Sequence, residues 1–461
     1  MLRLHDTALG RSEELSTREP GRIALYICGS TVYGPPHIGH GRFSLVYDVL
    51  RRYLEYSGIE VEHVSNVTDI DDKIIARAGE EQRPSAEIAE RYEAEWWDAM
   101  DTLGCLSPTR IPHATAYIEQ MVDLIAELVA LGVAYETSDG VYFTVADVGD
   151  YGLLAHQSLA SLRSGARVEV NEEKRSPLDF ALWKKAKPAE PVWESPFGPG
   201  RPGWHTECVV MSLALLGEGF DLHGGGQDLI FPHHENERAQ AVALGKRFAR
   251  HWMHHGMVQA HGGEKMSKSL GNVLLLSTLF DGGTDPRAYR LLVLQSHYRA
   301  PTVVTTATLD DAEAALRRLD ALSERLAGAG EAEGSPDDEA SAKQAGVAVK
   351  SAFTEKMNDD LDTPGATAVV FEAIRRANAA LDAREHSRGA ELAWAALECF
   401  AAVGLDAAGA SEVPDAVLAL GRRRDQARAS RDFATADLLR AEIEELGYIV
   451  EDTSAGTRIR R

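Results

Sequence analysis

The stretch 21–66 constrains this chain more than any other, because its apolar period changes twice within it. Ile23, Leu25 and Ile27 alternate as in a strand, and a turn-rich segment, 29–41, follows. Phe43, Val46, Leu50 and Leu54 then recur at helical spacing until Gly58, a residue suited to a C-terminal cap. Residues 61–67 resume strand character. Strand, helix and strand make a βαβ unit, which predicts a parallel sheet with its ligand beyond the carboxyl ends of the strands. Chemistry is therefore expected near residues 28–40 and 66–72.

Helical periodicity dominates 85–131, and 140–202 mixes short strands, such as 141–145, with many Pro and Gly. The core-like pattern returns at 203–216 and 248–256, so the intervening chain reads as an insertion over about 115–202. Leu309, Leu316, Leu319, Leu322 and Leu326 begin an amphipathic helix, which a Gly-, Glu- and Asp-rich linker at 328–339 interrupts. A run begun by Thr363 and Pro364 in N-cap and first-turn positions, and another over 391–403, predict a helical bundle. Residues 414–446 with the strand-like 448–450 predict a small terminal module.

At 461 residues the chain exceeds one ordinary core and should form about two to four domains. Cysteine is sparse, only Cys28, Cys105, Cys208 and Cys399, which argues for a reducing compartment without a disulfide framework. Residues 1–20 lack the apolar region of a secretory signal, and apolar stretches such as those near 209–216 and 273–276 are too short to cross a bilayer. The expectation is a cytoplasmic protein with no membrane partner. A net charge of −23 argues against a polyanionic partner, yet the charge is uneven. Arg422, Arg423, Arg424, Arg428 and Arg431 cluster near the C-terminus, and Arg458, Arg460 and Arg461 follow. Such a basic surface on an acidic body can contact phosphates at short range, while a solvated helix of mixed charge is the alternative reading.

Cys28, Cys208, His233 and Glu237 are residue types that hold zinc. His233 and Glu237, four apart, share one face of a helix. Cys28 closes the first apolar strand and Cys208 opens a helical stretch reaching residue 216. Spacing alone leaves other readings open, since cysteine commonly packs as a small hydrophobe and His233 or His234 could cap a helix. Pro35-Pro36-His37-Ile38-Gly39-His40 lies where the first strand meets the first helix, and a helix N-terminus offers free N–H groups to phosphate. Gly39 permits close approach of a flat base, and His37 and His40 can donate to phosphoryl oxygens. Farther on, Lys265-Met266-Ser267-Lys268-Ser269 carries two lysines between glycines, a cationic loop suited to a triphosphate. No Walker sequence occurs.

His37-Ile38-Gly39-His40 and Lys265-Met266-Ser267-Lys268-Ser269 resemble the two signatures of class I aminoacyl-tRNA synthetases. Cys28-Gly29, the stretch from Asn66 through Asp69 to Lys73, Gly203-Trp204-His205-Thr206-Glu207-Cys208, and His223-Gly224-Gly225-Gly226 running on to Glu237 are similar to the cysteinyl-tRNA synthetase family. The likeness covers essentially the whole chain. Thr206, Val209 and Arg238 depart from residues more usual there, which bears on local packing rather than on chemistry.

The resemblance implies an α/β fold: a Rossmann-like parallel-sheet catalytic domain over 1–260 with the inserted subdomain, a stem-contact region carrying the lysine signature over 261–308, an α-helical bundle over 309–405 and a small anticodon-binding module over 406–461. It also implies one Zn²⁺ per chain on Cys28, Cys208, His233 and Glu237, choosing His233 over His234, with Mg²⁺ accompanying ATP. Cysteine and ATP would give cysteinyl-adenylate and pyrophosphate, and the acyl group would pass to the terminal adenosine of tRNA(Cys). His37 and His40 would steady the α-phosphate beside Gly39, and Lys268 with Lys265 would hold the leaving pyrophosphate. Thr68, Trp204 and His223 would complete the amino-acid pocket, although on residues alone they read equally as a helix cap, a packing group and an organiser of the glycine turn. Arg428, Asp437 and Asp452 would read anticodon bases. The family resemblance further implies a monomer. A related ligase joining cysteine to an amino sugar in mycothiol biosynthesis would share the catalytic half, but it implies a shortened tail.

Overall fold

The computed structural model describes residues 2–165, 173–188, 190–259, 274–328, 336–408, 415–429, 432–446, 448–453 and 456–460. The expected βαβ unit consists of the strand Arg22–Thr31, the helix Ile38–Tyr56 and the strand Glu60–Thr68. Its strands pair in parallel, Leu25 opposite His63 and Ile27 opposite Ser65. Leu222–Gly226 pairs in parallel with the other edge of Arg22–Thr31, and His251–His255 follows outside it. Strand order therefore reverses between Arg22–Thr31 and Leu222–Gly226. Chains leaving the two strands in opposite directions open a crevice at their carboxyl ends, where α/β sheets receive ligands.

Sequence chemistry explains the two ends of the helix Ile38–Tyr56. His37 is its N-cap, and reciprocal side-chain bonds with His40 occupy two otherwise free backbone donors. Gly58 follows the C-cap Ser57 with φ +81°, a left-handed turn that glycine accepts without a Cβ clash. The helix carrying Cys208 is Trp204–Leu216, so it begins ahead of the expected start. Gly203 sets that start, because a Cβ there would lie 1.9 Å from the Ala181 carbonyl oxygen. The helical region expected over 85–131 is two helices, Ser85–Thr102 and Ile118–Ala130, separated after Gly104 at φ +67°. The segment between them adds isolated parallel bridges to the sheet, Arg110 to Val64 and His113 to Val67.

Within the insertion, Ala134–Glu136, Gly140–Phe143, Phe180–Lys185 and Gly200–Pro202 form an antiparallel sheet. Its buried Phe143, Leu182 and Trp183 join one apolar core with Tyr26, Cys28, Val64 and Cys208. The opposite face is held by a buried cation: Arg42 donates to the carbonyls of Met257, Tyr298 and Ala300 at 2.9, 3.1 and 2.5 Å. Burial lowers its pKa to about 10, which leaves it charged at neutral pH.

Residue contacts divide the chain into two compact units. The first comprises Met1–Ala312, Ala352–Ala368 and Ala402–Gly404, and the second Glu313–Ser351, Val369–Ala401 and Leu405–Arg461. In the second, Arg325 bonds Asn378 at 2.9 Å, and Lys350 meets Glu398 at 3.1 Å. The helix after the acidic linker starts at Pro336, inside the stretch expected to be linker. Asp415–Ala429 and Phe433–Glu445 pack with the hairpin Ile449–Thr453 and Gly456–Arg460 around Val417, Leu420, Leu439, Ile443 and Val450. Among the described residues no helix is long and apolar enough to cross a membrane.

Candidate active site and metal centre

Four segments deliver donors to the crevice. Cys28 comes from the carboxyl end of the strand Arg22–Thr31 and Cys208 from Trp204–Leu216; His233 lies in the helical turn Ile230–His234, and Glu237 in the following Glu235–Ala243. Their donor atoms all lie within 4.8 Å of one another, and all four residues are buried. Sγ of Cys28 is 3.5 Å from that of Cys208 and from Glu237 Oε1, while His233 Nε2 is 2.8 Å from Glu237 Oε1 and 3.7 Å from Cys208 Sγ. Cys28 and Glu237 also fall within the same limit of His223 and His234. The set with two thiols is the softer of the two, and its residue types are those of tetrahedral zinc sites.

The cluster balances its own charge. Burial pushes the Cys28 thiol up, and the neighbouring Cys208 adds to the shift. Burial would also raise Cys208, but hydrogen bonding from Cys28 and His233 outweighs it and brings that thiol to about 6. Glu237 is likewise opposed by burial, yet the imidazoles of His233, His223 and His234 hold it well below the usual carboxylate range. For His233, burial favours the neutral ring and the Glu237 charge prevails, raising it to about 10. Protons thus hold together an anionic thiol, a carboxylate and an imidazole, the donors that a divalent cation takes when it displaces those protons. The residues fit a metal ion.

Neighbours fix this set. Trp204 stacks on the His233 ring at 3.9 Å and 19°, and His205 Nδ1 lies 2.8 Å from His233 Nδ1. His223 Nε2 backs Glu237 Oε2 at 2.6 Å. Thr68 Oγ1 donates to Glu207 Oε2 at 2.8 Å and accepts from Asn66 Nδ2 at 3.3 Å. Asn66 Oδ1 accepts from the Gly29 amide at 2.8 Å. Sequence reasoning gave no role to Asn66, His205 or Glu207. Glu207 had a readable signal, a carboxylate directly before an apolar run, and burial beside Cys208 pushes it well above the carboxylate range. A cavity of about 680 Å³ opens beside the cluster, lined by Trp204, His205, Phe231, Asp72 and Lys184.

At the helix N-terminus the His37 and His40 rings stack at 3.6 Å and 14°. Gly39 lies beneath them, and a Cβ on it would come within 2.9 Å of the His37 ring. The Ile38 amide donates to Leu274 O at 3.0 Å and the Leu276 amide to Pro36 O at 3.1 Å. The first signature is therefore tied to the chain that follows the second. Lys265 and Lys268 themselves lie outside the described residues.

In the terminal module, Arg428 is half-buried on Asp415–Ala429 and Asp437 is exposed on Phe433–Glu445. Asp452 lies in the strand Ile449–Thr453, with its backbone paired to Thr457. Arg422 and Arg423 are exposed as a basic surface requires. Arg424 is not: it is 3% exposed and donates to Thr457 Oγ1 at 2.7 Å, because its place on the helix faces the hairpin.

Residues 14–314 match the family model described as tRNA synthetases class I (C) catalytic domain, 352–404 the DALR domain, and 410–460 the Cysteinyl-tRNA ligase anticodon binding domain. A Cysteine–tRNA ligase of Caldicellulosiruptor saccharolyticus is 42% identical, with 100% of each chain covered. That of Thermus thermophilus is 43% identical over 99% of this chain and 98% of its own. The chain belongs to the cysteinyl-tRNA synthetase family. Membership accounts for the donors from remote segments and for the order of the two signatures. Among solved structures, methionyl-tRNA synthetase of Mycobacterium tuberculosis with methionyl-adenylate shares the fold, at TM-score 0.60 and 16% identity over 83% of this chain and 90% of that one. The match over 410–460 also separates this family member from a cysteine ligase with a shortened tail. Of the departures from the family pattern, Thr206 is buried and bonds Gln240 at 3.0 Å, Val209 is buried in the core, and Arg238 pairs with Asp150 and Glu235.

Proposed function

We propose that the crevice performs the family reaction, with Cys28, Cys208, His233 and Glu237 as a zinc site that selects cysteine. The chain is a cysteine–tRNA ligase: it joins cysteine to tRNA(Cys) at the expense of ATP. A carboxylate oxygen of cysteine attacks the α-phosphorus, the bond to the β-phosphate oxygen breaks, and pyrophosphate leaves. A ribose hydroxyl of the terminal adenosine then takes the acyl group and AMP departs.

Residues of the chain contribute mainly position and charge. His37 and His40, at the helix N-terminus over Gly39, hold the α-phosphate; Lys265 and Lys268 hold the pyrophosphate, and Mg²⁺ arrives with ATP. Trp204 and His205 orient His233, His223 orients Glu237, and Thr68 presents a hydroxyl fixed by Asn66 and Glu207 to the amino acid. Zinc bound there supplies a soft Lewis-acid position that accepts a thiolate in preference to a serine hydroxyl. Shape alone would separate such near-isosteres only about a hundredfold. Arg428, Asp437 and Asp452 are the proposed anticodon contacts. Sparse cysteine usage supports a reducing, cytoplasmic setting, and the family resemblance supports a monomer.

The convergence of the four donors within 4.8 Å at the reversal of strand order carries this reading. Its test is Cys208→Ser, assayed for bound zinc and for cysteine-dependent ATP–pyrophosphate exchange. Both should fall at least about 100-fold, beyond what loss of an outer-shell partner costs. Wild-type zinc content together with wild-type exchange would remove the assignment.

A further inference from the structure

A second cavity, of about 420 Å³, lies on the other face of the parallel sheet. Ile27 lines it, whereas Cys28, the next residue of the strand, joins the core of the opposite face, as strand alternation requires. Its walls come from Ile38–Tyr56, Ser85–Thr102 and the segment 105–111. Phe43, Tyr47, Trp96 and Trp97 make them aromatic. Trp96 also meets the His40 ring edge-on at 5.2 Å, so the cavity adjoins the reaction site without sharing its metal donors.

His63 lines this cavity at 7% exposure, and neither of its ring nitrogens has a hydrogen-bond partner. Buried imidazoles ordinarily satisfy both. Burial, helped by the nearby Arg51, lowers the ring to about 4, so at neutral pH one nitrogen donates and the other accepts. The charged lining is acidic: Asp48, Asp98 and Asp101, with no Lys or Arg among the described lining residues. Asp48 is answered by Arg290 at 2.5 Å and Arg52 at 2.9 Å, while Asp98 and Asp101 are exposed. The half-buried Cys105 thiol also lines the cavity, and burial pushes it up to about 12, so it serves as apolar wall and not as a nucleophile.

We propose that this cavity is a second ligand site, for a small aromatic amine that is cationic at neutral pH. The ring packs against the aromatic walls, the ammonium meets Asp98, Asp101 and the faces of those walls, and a ring N–H or ring nitrogen engages His63. A volume near 420 Å³ falls within the range of small-molecule pockets, about 300–1,000 Å³.

The test is calorimetric titration of the full chain with tryptamine, while cysteine and a non-hydrolysable ATP analogue keep the reaction site filled. Tryptamine should bind, and indole-3-acetate, which has the same ring and the opposite charge, should bind at least about ten-fold more weakly. His63→Leu should weaken tryptamine about five- to ten-fold. Asp98→Asn with Asp101→Asn, both on the surface and of little consequence for folding, should weaken it about three- to ten-fold and narrow the gap to the anion. Equal affinity for the two indoles, unchanged tryptamine affinity in the aspartate double variant, or no tryptamine binding at millimolar concentration would overturn the proposal.

Discussion

Two clusters in the first unit offer histidine and carboxylate at metal-binding distances, and they are built for opposite ends. Asp6, Glu13 and His251 bring donor atoms within 4.8 Å of one another, as Cys28, Cys208, His233 and Glu237 do. In the first cluster the chain already engages Asp6 and His251. Asp6 accepts from the Leu9 amide at 3.0 Å and the Trp252 amide at 3.2 Å, and His251 Nε2 meets Ser16 Oγ at 3.1 Å. In the second, the donors face one another and are bridged by shared protons. The difference teaches that proximity of ligand types does not make a site. What matters is whether the backbone has claimed them.

The comparison breaks most readily at the metal. Glu237→Ala should lower metal affinity at least about 100-fold, and Glu13→Ala should leave the same content per chain as the wild type. Metal analysis of the two purified variants decides this. Loss of metal from Glu13→Ala would show that the satisfied cluster also holds an ion.

A smaller effect probes how closely the strands must approach to place Cys28. A Cβ on Gly29 would lie 1.6 Å from the Asn66 carbonyl oxygen, and the Gly29 amide already donates to the Asn66 side chain. Gly29→Ala should force Arg22–Thr31 away from Glu60–Thr68 and destabilise the fold by about 1–3 kcal/mol. Because Cys28 moves with it, metal affinity should fall as well, while the Asp6 cluster keeps its hydrogen bonds. Urea unfolding and metal titration of one preparation check both; unchanged stability would mean that the strand edge relaxes freely.

What the sequence made legible follows the range of the interactions. The βαβ unit was readable because Val46, Leu50 and Leu54 are buried along one helix and Gly58 ends it, all local facts. The four candidate donors were named through family resemblance, whereas their spacing fixed nothing. Strand order was hidden, since Leu25 pairs with Leu222 across most of the catalytic region and no period records that partnership. The helix start at Trp204 was missed because the close approach of Gly203 to Ala181 sets it, a contact between distant segments. Arg424 looked like part of a basic surface because charge is visible in sequence and the hairpin that covers it is not. The supporting bonds of Asn66 and Glu207 were invisible for the same reason.

The smallest expected effect belongs to the satisfied cluster and gives it a purpose. His251 Nδ1 faces Asp6 at 3.4 Å and Glu13 at 3.3 Å, joining the hairpin of Arg3–Asp6 and Arg11–Glu14 to the strand His251–His255. Burial disfavours the charged ring, but the Asp6 hydrogen bond and the two carboxylates outweigh it, so the folded pKa is raised. A group raised on folding stabilises fully below its unfolded value, about 6.5, and loses that contribution as pH climbs through the folded value. The hairpin should therefore be held more firmly at pH 6 than at pH 9, by no more than about 1 kcal/mol because Glu13 is partly open to solvent. Hydrogen exchange of the Arg3–Asp6 amides, corrected for intrinsic rates, measures it. His251→Gln should flatten the pH dependence and leave metal content unchanged; a pH dependence that survived the substitution would assign the effect to another group.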